Sequence, residues 1–405
     1  MASTLTITQA AAVLNSLVNA AQGTSITDPT TDISTLLSIG QKTLLTDTDS
    51  VTGALSQVLS RTIFSIRPYG RKFRGLEADN MRFGNIVRKV NYYDKPLQNN
   101  DYIPLTEGGT VDQYIINKPA VGQENFYGQT TFEKQVTIYD TQLDVAFRSI
   151  DEFAQFVSGV YQNASDQIEQ AHETMARAAL TNMILGTVAN NNDAKGQKRV
   201  VHLISDFAAV TNWEIEDPTY DDILAEGKLE AFAKYLKAKV SEISRMMTER
   251  SIYFHVSPAT PDADVPSANT SLMRHTPYNR QKIYLNTGIV EQISANALSS
   301  IFHDDLVRLT DYEAVNFWQT MDSPTYVEGK AVYLAGDGTL SNPTEVNAKV
   351  FGIIFDEDAL GWTIVNHRVR TSPYNARGEY RNVFFKFNDR YWNSFTENHV
   401  VLLLD

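Results

Sequence analysis

The sequence predicts a mixed α+β fold organised around one very long helix. Residues 149–186 carry apolar side chains at steps of three and four, which indicates an amphipathic helix of about 36 residues. Strand and helix patterns alternate in the middle of the chain, as in α/β or α+β units. The last sixty residues are dominated by long strand-like runs.

Composition excludes several classes of protein. The chain has 405 residues, a net charge of -13 and no cysteine. An acidic chain is a poor match for a sequence-reading DNA binder, and without cysteine there is no disulfide or thiolate chemistry. The longest apolar run, Val400–Leu404, is far shorter than the roughly twenty residues of a membrane span. The first basic residue is Lys42, so a secretory signal is not expected either, and we expect a cytoplasmic protein.

The N-terminal region contains an arm and then a basic segment. Residues 1–55 are rich in Ser, Thr, Ala and Asp, with one short stretch of helical spacing, and cannot bury a core of their own. Residues 56–89 lead into the main fold and carry a basic cluster. This cluster is either a nucleic-acid contact or an inter-subunit surface. The second is favoured because few aromatics interleave with the basic residues; the patch comprises Arg67, Arg71, Lys72 and Arg74.

Residues 90–148 predict a long extended arm. Prolines and the Gly108-Gly109 pair interrupt its first part, which confines strands there to edges or loops. From Phe126 to Ile138 the apolar residues share one parity, the period of a strand, and the parity switches near Asp140. The arm is too polar to form a core, so we expect it to contact another subunit. The candidate contact residues are Tyr102, Ile103, Leu105, Gly108, Gly109, Tyr114, Phe126 and Phe132.

The long helix is predicted from Ser149 to Gly186. Ser149 and Glu152 form a capping-box pattern, and Gly186 stands where a C-terminal cap is expected. Gly159 is the expected soft point, and a pair of helices broken at Asn163 is the alternative. The predicted apolar face comprises Phe153, Val157, Val160, Ala164, Ile168, Ala171, Met175 and Ala178.

Two further units follow the helix segment, 149–196. Residues 197–345 predict strands at "RVVHLIS", "SIYFHVS" and "KIYLN", with helices over Thr219–Arg250 and from Thr287 to about Phe302. Residues 346–396 predict a long hairpin from "WTIVNHRVR" and "NVFFKFNDRYW" around a loop at Thr371–Tyr380. Residues 397–405 contain a final buried strand, "HVVLLL".

Motifs of catalysis are missing from the sequence. It contains no phosphate-binding glycine loop, no H-E-x-x-H and no G-x-S-x-G. The acidic run Asp356-Glu357-Asp358 could bind a metal or supply paired carboxylates, but such a run is more typical of a polar turn between strands. The seven histidines are scattered singly. We therefore expect no catalytic, cofactor-binding or metal site, and no enzyme.

The order of these features resembles the major capsid proteins of tailed bacteriophages, which have the Hong Kong 97-like fold. In that resemblance, 1–55 is the N-terminal arm, 56–89 the peripheral-domain lead-in, 90–148 the extended β loop and 149–196 the spine-helix region of the peripheral domain. Residues 197–345 correspond to the axial domain, 346–396 to the peripheral-domain β hairpin and 397–405 to the final axial-domain strand. The spine-helix residues are Phe153, Val157, Val160, Ile168 and Met175.

The resemblance implies a virion protein that self-assembles into hexamers and pentamers of an icosahedral head in the host cytoplasm. Such a shell encloses double-stranded DNA with non-specific contacts and works with a portal. The chain lacks a long coiled-coil N-terminal extension, which implies a separate scaffolding protein. Two alternatives stay open: an encapsulin-like cargo shell, and a carboxylate- or metal-dependent hydrolase using the acidic run.

Overall fold

A computed structural model describes residues 72–78, 86–93, 114, 120–127, 130–139, 150–190, 198–258, 271–296 and 312–405. Within these ranges the strands are β1 (Ile86–Tyr93), β2 (Ala120–Tyr127), β3 (Thr130–Tyr139), β4 (Val200–His202), β5 (Gln281–Asn286), β6 (Tyr312–Val315), β7 (Tyr326–Ala331), β8 (Thr344–Asp356), β9 (Leu360–Thr371), β10 (Tyr380–Asn393) and β11 (His399–Leu403). The helices are α1 (Ile150–Ala189), α2 (Leu203–Thr211), α3 (Tyr220–Ala225), α4 (Leu229–Met247) and α5 (Thr287–Asn296).

A six-stranded sheet forms the centre of the molecule. Its strands follow the order β4-β11-β8-β5-β6, and β7 pairs with the N-terminal part of β8. The last strand, β11, is buried on both faces, which explains the unbroken apolar run at the end of the chain. Val400 and Leu402 pack into a core with α2, α4 and α5. Val401 and Leu403 pack into the opposite core, which contains the C-terminal half of α1.

The long helix is continuous, as predicted, and covers 40 residues from Ile150 to Ala189. It corresponds to a length of about 60 Å at the standard rise. The alternative of a break at Asn163 is therefore wrong. The expected cap at Gly186 is also wrong: the glycine lies inside the helix, where its missing side chain leaves room for the ring of Phe395.

A three-stranded sheet of β3, β10 and β9 packs along the same helix. The predicted hairpin is confirmed: β9 and β10 are antiparallel and their connection covers residues 372–379. β3, the returning strand of the predicted arm, pairs antiparallel with β10 from Thr130 to Tyr139. The even positions of β3 are the more buried ones, as its parity predicted, whereas the switch near Asp140 lies outside the described residues.

Three predictions for the middle of the chain need correction. The helix predicted over Thr219–Arg250 is two helices, α3 and α4, because Gly227 adopts a positive φ of 66° between them. The strand at "RVVHLIS" contains only Val200–His202, since α2 begins at Leu203. The segment "SIYFHVS" has a single bridge, between Ser251 and Arg274, and is otherwise irregular. The apolar residues of α4 recur at helical spacing and are buried: Leu229, Phe232, Leu236, Val240, Ile243 and Met247.

None of the helices in the described ranges is long and apolar enough to cross a membrane.

Candidate functional site

The site centres on a two-stranded ribbon at the root of the predicted arm. β1 and β2 are antiparallel, and Tyr93 at the end of β1 pairs directly with Ala120 at the start of β2. The 26 residues between these two lie beyond the paired ends of the strands. An isolated two-stranded ribbon is marginally stable, so its contacts with the rest of the molecule decide how it is held.

The inner face of the ribbon is fixed to the body by polar contacts. We call these side chains the anchor cluster: Lys89, Asn91 and Glu124 from the ribbon, and Arg274, Ser394, Thr396 and Glu397 from the body. The Lys89 ammonium lies 2.6 Å from Glu397 Oε1 and donates to Ser394 Oγ at 2.7 Å. Ser394 donates in turn to Glu124 Oε2 at 2.9 Å.

In the rest of the anchor cluster, Arg274 contacts one residue of the ribbon and one residue of the body. Its guanidinium donates to Asn91 Oδ1 and lies 3.2 Å from Glu397 Oε1. Two cations and two carboxylates thus meet at the joint, so their formal charges balance. Neighbouring Tyr93 is buried against Gly122, where an added Cβ would be 2.7 Å from the ring. Burial raises the pKa of Tyr93, and the Glu124 carboxylate raises it further against the opposing effect of Arg274.

The outer face of the ribbon carries four exposed apolar side chains beside polar ones such as Gln123. We define it by Val90, Tyr92, Val121 and Tyr127, which project from the side opposite the anchor cluster because strand side chains alternate. Their exposed fractions are 45%, 66%, 42% and 69%. Tyr92 and Val121 are direct cross-strand partners. Exposed apolar side chains grouped on one face of an anchored element are typical of a protein–protein contact.

The ribbon also borders a groove along α1. The groove has a volume of about 850 Å³ and is lined by β2, α1, the end of β10 and residues 332–340. Phe126 and Met175, both half-buried, line it. A smaller cavity of about 150 Å³ lies further along the helix, where Phe132 of β3 and Ile168 of α1 meet. Two predicted arm residues and two predicted spine residues therefore line shared cavities.

Comparison with known proteins shows the family of the chain. The sequence profile of the Phi29-like phage major capsid protein family matches residues 35–403. The chain belongs to this family. This phage capsid protein is therefore a structural component of a virion head and not an enzyme. No curated protein matches its sequence.

A solved capsid structure shares the fold of this capsid protein. The capsid structure of Staphylococcus phage Andhra matches it with a TM-score of 0.54 and 11% identity, covering 83% of this chain and 84% of that chain. The capsid structure of cyanophage P-SCSP1u gives a TM-score of 0.43 and 12% identity, covering 84% and 90%. At these identities the likeness to the Andhra capsid concerns the fold, which is the predicted Hong Kong 97-like one.

The structure describes some of the predicted contact residues of the capsid protein. Tyr114 is 79% exposed, and Phe126 and Phe132 are half-buried. In the basic patch, Lys72 is exposed. The other predicted residues lie outside the described part of the structure, either entirely or in their side chains. They are Tyr102, Ile103, Leu105, Gly108, Gly109, Phe153, Val157, Val160, Arg67, Arg71 and Arg74.

The buried face of α1 in the capsid protein differs from the predicted one. Leu180, Met183 and Ile184 are buried, and so is the polar His172, whereas Ile168 and Met175 are only half-buried. Adjacent helical positions point about 100° apart, so the two faces overlap without coinciding. Within the described part of the predicted stripe, Ala164 is buried, whereas Met175 and Ala178 line the groove and Ile168 and Ala171 line the cavity.

The acidic run of the capsid protein is a structural turn, as expected. Arg280 contacts all three carboxylates, with 3.3 Å to Asp356 and 3.1 Å to Glu357, and a further contact to Asp358. Asp356 also accepts from the Thr276 hydroxyl at 2.8 Å. These contacts explain the run without catalysis, and the hydrolase alternative is wrong for a member of this family.

Proposed function

We propose that the chain self-assembles into hexamers and pentamers that close an icosahedral head around double-stranded DNA. The observation that carries the proposal is the two-faced ribbon, which is anchored on one side and apolar on the other. A monomer would leave four large apolar side chains in water at the root of its arm. A neighbouring subunit would cover them.

In this proposal the 90–148 arm lies across an adjacent subunit, and the 1–55 arm makes further contacts of the same kind. Each contact is weak, but a subunit that makes several at once gains from a high effective concentration. The anchor cluster supports this role because it fixes the direction in which the ribbon leaves the body. The basic patch around Lys72 would meet an acidic surface of a neighbour.

The charge of the chain agrees with a container for DNA. With 48 acidic and 35 basic residues, the chain has a net negative charge, which repels phosphate. Contacts with the packaged DNA would therefore be non-specific and few. A portal and a separate scaffolding protein would complete assembly in the host cytoplasm. In this proposal the peripheral and axial domains of the chain have the boundaries given in the sequence analysis.

Shortening the arm tests the proposal. Because Tyr93 and Ala120 are paired, residues 94–119 can be replaced by Asn-Gly, which closes a two-residue hairpin. The anchor cluster remains complete in this variant, so we expect a folded subunit with the circular dichroism spectrum of the full chain. Electron microscopy should show no closed shells. Shells of normal size and yield from the shortened chain would contradict the proposed role of the arm.

A further inference from the structure

Three ligand-type side chains meet between α1 and the three-stranded sheet. His172 comes from α1, His367 from β9 and Asp389 from β10. One potential ligand atom from each lies within 4.8 Å of the other two. Among the residues that the structure describes, this is the one group of three or more histidine, cysteine, aspartate or glutamate side chains with such spacing.

The spacing fits a divalent transition-metal ion. Nε2 of His172 lies 2.9 Å from Asp389 Oδ2, and Nε2 of His367 lies 4.0 Å from Asp389 Oδ1. Zinc–ligand distances of about 2.0–2.2 Å at tetrahedral angles place neighbouring ligand atoms roughly 3.4 Å apart. The two observed distances lie on either side of this value, so small side-chain rotations would complete the geometry.

The Asp389 carboxylate is the group that most needs such a partner. It is fully buried, and neither of its oxygens makes a hydrogen bond of acceptable geometry with the described residues. Burying a carboxylate without compensation is costly, and a bound cation is one of the arrangements that offsets this cost. The imidazole of His172, which is also buried, approaches it at 2.9 Å.

A β-bulge lies next to the three side chains, and strand alternation places Asp389 on the same face of β10 as Phe387, the partner of His367. The register of β9 and β10 shifts between Asn388 and Asp389, so that Asp389 pairs with Ile364 while His367 pairs with Phe387. Bulges of this kind re-aim a side chain and are frequent next to functional sites.

Room for a fourth ligand lies beside the cluster. His172 lines the cavity of about 150 Å³ between β3 and α1, together with Phe132, Ile168 and Phe387. A water molecule occupies about 30 Å³ of liquid, so this space can admit water to the metal. Two imidazoles, one carboxylate and one water are a common ligand set for zinc.

We infer that His172, His367 and Asp389 form a binding site for a divalent transition-metal ion of the Zn²⁺ type. The ion would fix the spine helix α1 to the two strands β9 and β10, and through β10 to β3 at the end of the arm. Its role would be structural: a clip between the helix and the sheet. The ligands are 22 to 217 positions apart in the sequence, which is why no short motif announces them.

Metal titration of the full chain tests the site. After treatment with a chelator, the chain is titrated with Zn²⁺ by calorimetry and with Co²⁺ by visible absorption. We expect one equivalent of each ion, the intense d–d bands of four- or five-coordinate Co²⁺, and a higher melting temperature with Zn²⁺. Loss of outer-shell partners lowers metal affinity about 10–100-fold, so removing a ligand should cost at least about 100-fold.

Two ligand variants and one control make the test specific. His367→Gln and Asp389→Asn should each abolish tight binding, and His367 is the less buried of the two ligands and so the safer substitution for folding. The control is His202→Gln, which alters an exposed histidine 2.8 Å from Asp405 that belongs to no such group of three among the described residues. It should bind like the unaltered chain.

The outcome decides between a metal site and a His–Asp ion pair. Stoichiometric binding that is lost in His367→Gln and kept in His202→Gln supports the site. No binding by the unaltered chain, or binding that survives both ligand substitutions, overturns it.

Discussion

The ring of Phe395 lies directly against Gly186 of α1, and a Cβ at this glycine would be 2.6 Å from the ring's Cζ. The same Cβ would be 3.3 Å from the carbonyl oxygen of Val332. Phe395 is itself buried, so the ring has little space to withdraw. Only glycine therefore fits at this position of the long helix.

The contact predicts opposite effects for two glycines of one helix. Gly186→Ala should destabilise the subunit by about 1–2 kcal/mol, because overpacking outweighs the gain in helix propensity. Gly159→Ala is the matched control: a Cβ there meets nothing within 4 Å, so the change should stabilise by about 0.5–1 kcal/mol. Urea unfolding of unassembled subunits measures both. Equal effects at the two positions would contradict the packing at Phe395.

The anchor cluster predicts that Lys89 holds the ribbon to the body. Lys89→Met removes the cation from Glu397 and Ser394 and should cost about 1–3 kcal/mol, the range for hydrogen bonds to charged groups. Hydrogen exchange in β1 and β2 should accelerate. Lys330→Met is the control, because its pair with Glu345 is largely exposed and should contribute at most about 1 kcal/mol. Unchanged exchange in β1 after Lys89→Met would exclude this role.

The outer face predicts an effect on assembly with little effect on folding. Tyr92→Ser combined with Val121→Ser removes two exposed apolar side chains that form a cross-strand pair. We expect a folded subunit whose assembly, followed by light scattering, requires at least about tenfold more protein, since roughly 1.4 kcal/mol per contact is a factor of ten. Gln123→Ser, an exposed polar position on the same face, is the control. If the double variant and the control assembled alike, this surface would not be an interface.

Two buried histidines predict a loss of stability in mild acid. Burial lowers the pKa of His255 to about 4, with Arg274 and Arg199 acting in the same direction and the hydrogen bonds to the oxygens of Leu272 and Asn398 opposing them. Burial likewise lowers the pKa of His399 to about 3, aided by Arg199 and His255. The unfolded chain takes up these protons near pH 6.5 and the folded chain does not. Stability should therefore fall as pH decreases below about 6.5 and continue to fall toward the folded pKa values.

The size of this effect can be measured at two pH values. Between pH 7.5 and pH 5, each histidine should contribute about 2 kcal/mol to the loss. Urea unfolding of unassembled subunits at both values gives the difference, and His255→Gln should reduce it by about half of the combined contribution of His255 and His399. A free energy of unfolding that is the same at pH 7.5 and pH 5 would show that these side chains are accessible to protons in the folded state.

The sequence predicted the elements whose patterns are long and local. The period of α1, the parity of β3 and the apolar face of α4 each extend over many residues, and each is present in the structure. Short interruptions were harder to predict. Gly227 splits one helix by adopting a positive φ, a choice that depends on the packing of α3 and α4.

The sites were less predictable than the fold, for a physical reason. The anchor cluster joins Lys89 to residues more than 300 positions away, and the metal cluster combines residues from three separate elements. Neither has a local pattern, because only the folded topology brings the groups together. The apolar stripe on α1 was found approximately, since polar His172 belongs to the buried face and Met175 lines the groove.

The central claim is that this capsid protein closes into a shell by contacts between copies of itself. Electron microscopy of the purified full-length chain, at increasing concentration, tests it most directly. We expect rings of six and five subunits and closed particles of uniform size. Particles that remain single subunits at the highest concentration, with the outer face of the ribbon still open to solvent, would contradict it.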